Sequence, residues 1–528
     1  MRPRLYWSIT LLTALIGLVI RIVVGHKTFI SFDEWQHVFM ASSARWNDLS
    51  FELRTNAHPP LFFLLLKYVV RLGSVGLYRA ISIAAGTGSI IVVGLIARRL
   101  LDSPILQLLC AVAFALSTDA ISISVEIRSY QLAVFLSLLA FPGWIEMFPD
   151  TDERVRARPY VAFAICSALA VLSHYSAVFA LIPCVFVPLL LRRVPKMRAV
   201  AFAAAVSFPG IVFAIEYVVH AGSQPMQGYL FDFYWGTKPD ESAAAFILRN
   251  SRNFFNLFSP IEIQGAALFL VVALSLCVIT IWALARQPRS LRAMAILVAG
   301  GMVLELLGAS LIRKYPFGGM LRHQYIAGPF LLIAAFVVLD FIVAKAVPAI
   351  RVAIAAAVLV ASVANCIVDG PKLIFYPGVV LLTPEFDAWR TAFPGANAVY
   401  LDHWGVIGYF IHTSDQPRTF VRSIAGDAEV DQYHTSGGAP GGSEIFYDKT
   451  RNTIDFSDAA FYRSLAACLR ASGVKELTVF FYSPGDVRID QAPAQLEQRI
   501  MAKASEQGLV TTKVDIQRTS LAAGFELR

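Results

Sequence analysis

Two neighbouring carboxylates, Asp33 and Glu34, directly follow the first apolar run of this 528-residue chain, in the segment SFDEWQHVFMA. A carboxylate placed there could accept a proton from a hydroxyl nucleophile or bind a divalent cation. The same residues also fit the start of a helix, with Ser31 or Asp33 as the N-cap and Glu34 in the first turn. The two interpretations are compatible.

Other polar side chains that could bind a phosphate stand at the edges of further apolar runs. An arginine can hold a phosphate through two parallel hydrogen bonds. The loop Arg313–His323 carries several basic groups, and a phosphate-bearing substrate would account for them. The candidate residues are His58, Arg128, Tyr130, His174, Lys314, Arg322, His323 and Tyr325.

Most of these residues also have a simpler interpretation. His58 could face lipid headgroups, Arg128 could anchor a helix at the membrane interface, and His174 could be the polar tip of a hairpin. The basic loop Arg313–His323 could adhere to anionic headgroups. The sequence alone leaves these alternatives open.

The composition is typical of a membrane protein. Hydrophobic residues make up 57% of the chain and charged residues 16%, with a mean hydropathy of +0.61, whereas soluble proteins carry about 25% charged residues. Runs long enough to cross a bilayer, or nearly so, predict eleven spans. They cover residues 5–25, 80–97, 104–120, 127–146, 159–173, 176–191, 198–219, 263–285, 290–312, 324–345 and 351–368.

The net charge of +8 is unevenly distributed, because the chain from Gly370 onward is net acidic. We therefore expect no nucleic-acid partner. Basic loops between the runs predict a cytoplasmic N-terminus and a C-terminus on the other side, if 59–72 is a helix lying in the interface. All nine histidines then fall on the non-cytoplasmic side or at its edge, either because the chemistry is there or because those loops are longer.

The chain after residue 369 has an ordinary polar composition and predicts a small soluble α/β domain, 370–528. Strand-like and amphipathic helical stretches alternate in it, and a segment rich in Gly and Ser predicts a mobile loop. The strands are Ala398–Leu401 and Glu476–Phe481, the helices Ala459–Ala471 and Ala494–Gln507, and the loop Ser436–Ser443.

The sequence has no P-loop, dinucleotide fingerprint, HExxH or Cys/His metal spacing. An enzyme without access to cytoplasmic nucleotides needs a donor that is already activated. A lipid phosphate is a natural donor within a bilayer.

The succession FDE, HPPLFFLLL, EIRSYQLAVFLSLLA, LSHYSAVFALIP and RKYPFGGMLRHQYIAGPF resembles bacterial GT-C glycosyltransferases over residues 5–345. It is most similar to the branch of protein O-mannosyltransferases and the lipid A aminoarabinose transferase. The resemblance implies a GT-C transmembrane domain, 1–369, with two juxtamembrane helices in its first loop. It also implies a bacterial inner-membrane protein whose C-terminal domain is periplasmic.

In this family a sugar passes from a polyprenyl-phosphate donor to an envelope acceptor, which is a glycolipid such as lipid A, another glycan or a protein. The resemblance makes Asp33 the general base, with Glu34 binding a metal or the acceptor. It places Arg128, Lys314, Arg322 and His323 near the lipid phosphate and implies inversion at the anomeric carbon. The cofactor is either none or a divalent cation, Mg²⁺ or Mn²⁺.

Two rival functions are a transporter or flippase of a lipid-linked sugar and a non-catalytic envelope scaffold. A flippase predicts polar or broken helices near the bilayer midplane, whereas the runs here are apolar at their centres. A scaffold predicts that the phenotype depends on 370–528 and not on Asp33 or Arg322.

Overall fold

A computed structural model describes most of the membrane region and parts of the C-terminal chain. The described residues are 2–28, 30–42, 53, 58–72, 75–148, 156–194, 198–220, 241–258, 263–286, 290–344, 346–374, 391–393, 398–401, 420–424, 431–435, 444–447, 459–472, 475–482, 493–516 and 520–527. The chain divides into two compact units. The first is Met1–Phe29, Leu53–Phe62 and Arg79–Tyr376, and the second is Ile30–Glu52, Phe63–Tyr78 and Pro377–Arg528.

The chain up to residue 374 is helical where it is described. In order, the helices are α1 (Pro3–Lys27), α2 (Phe32–Ala41), α3 (Pro60–Arg71), α4 (Ala80–Leu100), α5 (Pro104–Leu116), α6 (Thr118–Val125), α7 (Tyr130–Glu146), α8 (Ala157–Ser173), α9 (Val178–Leu190), α10 (Ala199–Val219), α11 (Ala243–Phe258), α12 (Ala266–Arg286), α13 (Leu291–Leu311), α14 (Leu321–Gln324), α15 (Gly328–Val343) and α16 (Pro348–Ile374). Every apolar run predicted from the sequence is occupied by a helix. The stretch 59–72 is also a helix, α3, and its interfacial position stays a prediction.

Several helices can cross a membrane. Among the helices that the structure describes, six are long and apolar enough, namely α1, α4, α10, α12, α13 and α16, and α5 with α6 would make a further span bent by 50°. Four more apolar helices, α7, α8, α15 and the stretch Tyr175–Leu190, are shorter than the roughly 20 residues of a straight crossing. The chain is thus a multi-pass membrane protein, and the number of eleven spans stays a prediction.

The bend between α5 and α6 has a local cause at Ser117. Its backbone is extended, with ψ 122°, so α5 ends there, and its side chain accepts a hydrogen bond from the amide of Ala120 to cap α6. A serine in this position stabilises a new helix start. Glu126 and Arg128 lie between the end of α6 and the start of α7.

Helices α7 and α8 pack closely because Gly143 has no side chain at their contact. A Cβ atom at Gly143 would lie 2.8 Å from the carbonyl oxygen of Pro159. Nearby, Phe141 stacks on Trp144 with ring centroids 4.9 Å apart, and the Trp144 indole donates to the Cys184 carbonyl at 2.7 Å. This core holds α7, α8 and α9 in fixed positions.

Charged side chains pair at one end of the first unit. Arg99 at the end of α4 forms an ion pair with Glu146 at the end of α7, at 2.5 Å. Arg292 at the start of α13 pairs with Asp102, and the Asp340 carboxylate accepts from the Asp102 amide at 2.8 Å. The opposite ends of the same helices carry the candidate site residues, since α7 starts at Tyr130.

The second unit contains α2, the part of α3 from Phe63 on, and the C-terminal chain. Seven strands, β1 (Ala398–Leu401), β2 (Phe420–Ile424), β3 (Asp431–Thr435), β4 (Glu444–Tyr447), β5 (Glu476–Tyr482), β6 (Leu509–Ile516) and β7 (Ser520–Leu527), form one sheet in the order β2-β3-β4-β1-β5-β7-β6. β1 runs parallel to β4 and β5, and the other pairs are antiparallel. Helices α17 (Ala459–Ser472) and α18 (Pro493–Glu506) complete it.

The predicted α/β character of the C-terminal chain is confirmed. β1, β5, α17 and α18 match the predicted stretches, and the core is built from side chains such as Leu465, Val479, Ile500 and Phe525. Strands β2, β3, β4, β6 and β7 were not predicted. The predicted loop Ser436–Ser443 lies outside the described residues, and the domain boundary predicted after residue 369 falls inside α16 and stays a prediction.

Candidate active site

Four separate parts of the first unit bring candidate residues to one place. His58 stands before the Pro59–Pro60 start of α3, and Arg128 and Tyr130 lie where α6 gives way to α7. His174 is the residue between α8 and a short 3₁₀ turn, Tyr175–Ala177, and His323 lies in α14. All of these positions are helix ends, where side chains can converge without interrupting a helix.

The rings of these residues lie close to their neighbours. The ring centroids of His58 and His174 are 5.2 Å apart, and Tyr130 lies 4.6 Å from His174, 5.9 Å from His58 and 6.4 Å from His323. The Arg128 guanidinium lies 5.9 Å from the centre of the Tyr130 ring and 3.5 Å from its hydroxyl. We call His58, Arg128, Tyr130, His174 and His323 the histidine cluster.

The hydrogen bonds of His174 fix its tautomer. The Ser176 amide donates to Nδ1 of His174 at 3.1 Å, and the Ser176 hydroxyl lies 2.7 Å from the same nitrogen. Because an amide can only donate, Nδ1 must be the acceptor, and the ring proton is on Nε2. His174 therefore has an N–H donor on its other nitrogen.

Burial keeps the imidazoles neutral beside a permanent cation. Burial first, and then the Arg128 charge, lower the pKa of His174 to about 3. Burial also lowers the pKa of His323 to about 3, with smaller contributions from Arg322, His174 and Arg128. At neutral pH the cluster thus combines the Arg128 charge with imidazoles that can donate hydrogen bonds without a charge of their own.

The loop before α14 supplies a further ring. The Tyr315 hydroxyl donates to the backbone carbonyl of His323 at 3.1 Å, and the two rings lie 6.3 Å apart. Arg322 is half-buried beside His323, whereas the Lys314 side chain is exposed. Tyr315 was not among the predicted site residues, since its spacing in the sequence does not show that it bonds to α14.

Tyr325 is buried, and burial raises the pKa of its phenol. Its hydroxyl is close enough to Arg21 and Asp119 for their charges to act on it, with Arg21 favouring the ionised form and Asp119 opposing it. Among the described residues the hydroxyl has no hydrogen-bond partner. Tyr325 therefore borders a second polar region, around Arg21.

Arg21 is a fully buried cation in α1 that the sequence analysis passed over. Its Nε donates to the Ser124 hydroxyl at 3.1 Å, and its Nη1 donates to two backbone carbonyls. Gln131, next to Tyr130, donates to the Ser89 hydroxyl at 3.1 Å and lies 3.4 Å from the Ser124 hydroxyl. Arg21 stands near the end of a long apolar run. A charged residue within such a run is the sequence feature that could have indicated a buried polar region.

Asp33 and Glu34 belong to the second unit, in the first turn of α2. Ser31 is the N-cap, and its hydroxyl accepts from the Glu34 amide while the Glu34 carboxylate accepts from the Ser31 amide at 2.7 Å. This reciprocal pair is a capping box. Asp33 is half-buried, and its carbonyl is 2.8 Å from Nδ1 of His37. The capping interpretation of the sequence is therefore confirmed, with Ser31 as the N-cap.

The described residues do not supply a metal-ligand set. Among them no three His, Cys, Asp or Glu side chains gather in a way that could hold an ion, and one Glu34 oxygen already bonds the Ser31 amide. The predicted binding of a divalent cation, Mg²⁺ or Mn²⁺, by Glu34 stays a prediction.

The histidine cluster has the chemistry of an anion site. A guanidinium binds phosphate oxygens strongly, and buried N–H donors add hydrogen bonds that water does not weaken. Five of the residues that the sequence predicted to bind a lipid phosphate lie together here, namely His58, Arg128, Tyr130, His174 and His323. Arg322 is adjacent, Lys314 is exposed, and Tyr325 faces the Arg21 region.

The fold is that of GT-C proteins, as the sequence resemblance predicted. Neither a family model nor a curated protein sequence matches this chain. The structure is similar to ArnT from Cupriavidus metallidurans bound to undecaprenyl phosphate, with a TM-score of 0.53, 13% identity and coverage of 97% of each chain. It is also similar to the same protein in the apo state, with a TM-score of 0.55, 13% identity and 97% coverage of each chain.

Proposed function

We propose that this chain is an inverting membrane glycosyltransferase that takes a sugar from a polyprenyl-phosphate donor. The observation that carries the proposal is the histidine cluster, a buried arginine with neutral imidazoles at one end of a GT-C helical bundle. ArnT, which has this fold, has been solved with undecaprenyl phosphate, and we extend the ligand class to this chain. The proposed acceptor is a glycolipid such as lipid A, another envelope glycan or a protein.

In the proposed reaction, an acceptor hydroxyl oxygen attacks the anomeric carbon of the sugar. The bond from that carbon to the phosphate oxygen breaks, and its electron pair leaves with the phosphate. Asp33 takes the proton of the attacking hydroxyl, as the sequence resemblance implies. Direct displacement by one nucleophile inverts the anomeric configuration.

The histidine cluster would act on the leaving group. Negative charge grows on the phosphate oxygens as the sugar departs, and Arg128 with the His174 Nε2–H would stabilise that charge. Arg322, His323 and His58 would contribute in the same way, while Lys314 and Tyr325 would bind the donor at the edges of the site. We place the reaction on the periplasmic face of a bacterial inner membrane.

A transfer assay tests the proposal. Membranes that contain the wild type or Asp33→Asn are given prenyl-phosphate sugar with a label in the sugar, and transfer of the label is followed. Asp102→Asn, at the opposite end of the helices and with a 78% exposed side chain, is the matched control. We expect transfer by the wild type and the control and loss of transfer in Asp33→Asn. Full activity of Asp33→Asn would show that the assigned base is wrong.

The polar region around Arg21 favours one second candidate, a flippase of a lipid-linked sugar. Buried charges inside membrane helices often mark a transport path, and the α5–α6 bend is a broken helix of the kind that transporters use. Liposomes with purified protein, labelled donor lipid and no acceptor separate the two functions. Movement of intact donor between leaflets would favour the flippase, whereas transfer only on addition of an acceptor would favour the transferase.

A further inference from the structure

His220, at the end of α10, contacts Tyr175, which adjoins the histidine cluster, and Leu53, which comes from a separate part of the chain. It is buried, with 8% of its surface exposed. Its Nδ1 is hydrogen-bonded to the Tyr175 hydroxyl, and its Nε2 is hydrogen-bonded to the backbone carbonyl of Leu53. The Tyr175 and His220 rings lie 5.9 Å apart and are tilted by 35°.

The partners of His220 account for both ring nitrogens. The Leu53 carbonyl can only accept, so Nε2 of His220 donates to it. A ring with its proton on Nε2 offers Nδ1 as an acceptor for the Tyr175 hydroxyl, so one tautomer satisfies both partners. Leu53 is itself buried, where an unpaired carbonyl would be unfavourable.

One partner of His220 is the direct neighbour of a cluster imidazole. Tyr175 follows His174, whose ring lies 5.2 Å from that of His58 and 4.6 Å from that of Tyr130. Fixing the Tyr175 hydroxyl to the His220 ring, which is also bonded to Leu53, therefore restrains the turn from which His174 reaches the cluster.

We infer that His220 is a positioning residue, which ties the 174–177 turn to Leu53 so that His174 keeps its place in the histidine cluster. This inference deepens the proposed function and rests on it for the identity of the ligand. The contact itself can be measured without any ligand. A glutamine at position 220 also offers one N–H donor and one oxygen acceptor, whereas alanine offers neither.

The first measurement is hydrogen–deuterium exchange of the full-length protein in detergent, without ligand. His220→Ala should speed exchange in peptides covering residues 174–177 by about tenfold, through local opening of that turn, whose Ser176 and Ala177 amides are hydrogen-bonded. His220→Gln should restore slow exchange. Tyr217→Ala, an exposed change at the same end of α10, is the matched control. Unchanged exchange in His220→Ala, or an equal increase in Tyr217→Ala, would overturn the inference.

Binding of undecaprenyl phosphate to the same variants is the second measurement. We expect the affinity to fall about tenfold in His220→Ala, to recover in His220→Gln and to fall in Tyr175→Phe, which keeps the ring and removes the hydroxyl. An affinity unchanged by His220→Ala would overturn the positioning role even if exchange rises. If the wild type itself does not bind the lipid, the proposed function fails, whereas the exchange result still decides whether His220 holds the 174–177 turn.

Discussion

At the scale of single residues, different side chains of the histidine cluster supply the positive charge and the uncharged hydrogen-bond donors. Arg128 is charged at any physiological pH, whereas burial keeps His174 and His323 neutral. Such a site does not accumulate like charges before the ligand arrives, and an arriving phosphate would stabilise the protonated imidazoles. The charge of Arg128 should therefore dominate the binding of an anionic lipid, with the imidazoles orienting it.

Replacing Arg128 tests this division. Arg128→Ala should weaken binding of undecaprenyl phosphate roughly 10- to 100-fold, because hydrogen bonds between charged groups contribute about 1.5–3 kcal/mol. The affinity can be measured by a lipid-dependent thermal shift in detergent. Arg158→Ala, an exposed change at the start of α8, should leave the affinity unchanged. Equal affinities of Arg128→Ala and wild type would remove Arg128 from the site.

The neutral imidazoles make stability depend on pH. Histidine titrates near pH 6.5 in an unfolded chain, whereas the pKa of His174 in the folded protein is about 3. Between these values the unfolded chain binds more protons, so stability should fall as the pH falls from about 6.5 toward 3.

Thermal unfolding of the ligand-free protein between pH 4 and 8 measures this slope. His174→Asn should reduce it, because an asparagine oxygen can accept from the Ser176 amide and does not titrate. His26→Asn, at an exposed position, should keep the wild-type slope. An identical slope in His174→Asn would mean that His174 is already charged in the folded protein.

At the scale of elements, the start of α2 is held by the capping box of Ser31 and Glu34. Ser31→Ala should destabilise this helix by about 0.5–2 kcal/mol and speed amide exchange in peptides covering residues 31–42. Ser31→Asp, which can still cap the helix, should stay close to wild type. If Ser31→Ala exchanges like the wild type, the Ser31 hydroxyl does not hold the start of α2.

The loop between α13 and α14 depends on Gly318. Its φ is +73°, and a Cβ atom there would lie 2.2 Å from the carbonyl oxygen of Asn250 in α11. Gly318→Ala should therefore lower the free energy of unfolding by more than about 1 kcal/mol. Gly308→Ala in α13 meets no atom within 4 Å and should be neutral or stabilising, because alanine favours helices. Equal melting temperatures of the two variants would contradict this account.

Some helices and strands could be predicted from the sequence and others could not. The membrane helices follow from apolar runs, and β5 follows from its β-branched and aromatic residues. β7 contains Ala522, Ala523 and Gly524, which favour strands weakly, so only pairing with β5 and β6 makes it a strand. The strands β2 to β4 have only four or five residues each, too few to show a clear alternation, and they are paired with their neighbours in the sheet.

At the scale of the whole molecule, the sequence predicted which end of the helices carries the candidate residues. Because successive membrane helices run in opposite directions, the sequence places Tyr130, His174 and His323 at the same end of the helices. In the structure their rings lie close together. The contacts of Tyr315 and His220 could not be read from spacing, because each bonds a residue on another element. Arg21 could have been flagged, since a cation within an apolar run needs partners.

The most direct test of the central claim compares cells that lack the gene with the same cells carrying the wild type, Asp33→Asn or Arg128→Ala. Mass spectrometry of the envelope glycans and of the prenyl-phosphate lipids shows where the sugar is. We predict that cells without activity lack one sugar on an envelope acceptor and accumulate it on the prenyl-phosphate lipid, and that only the wild type reverses both changes. Full restoration by Asp33→Asn and Arg128→Ala would contradict the assignment of a glycosyltransferase site to these residues.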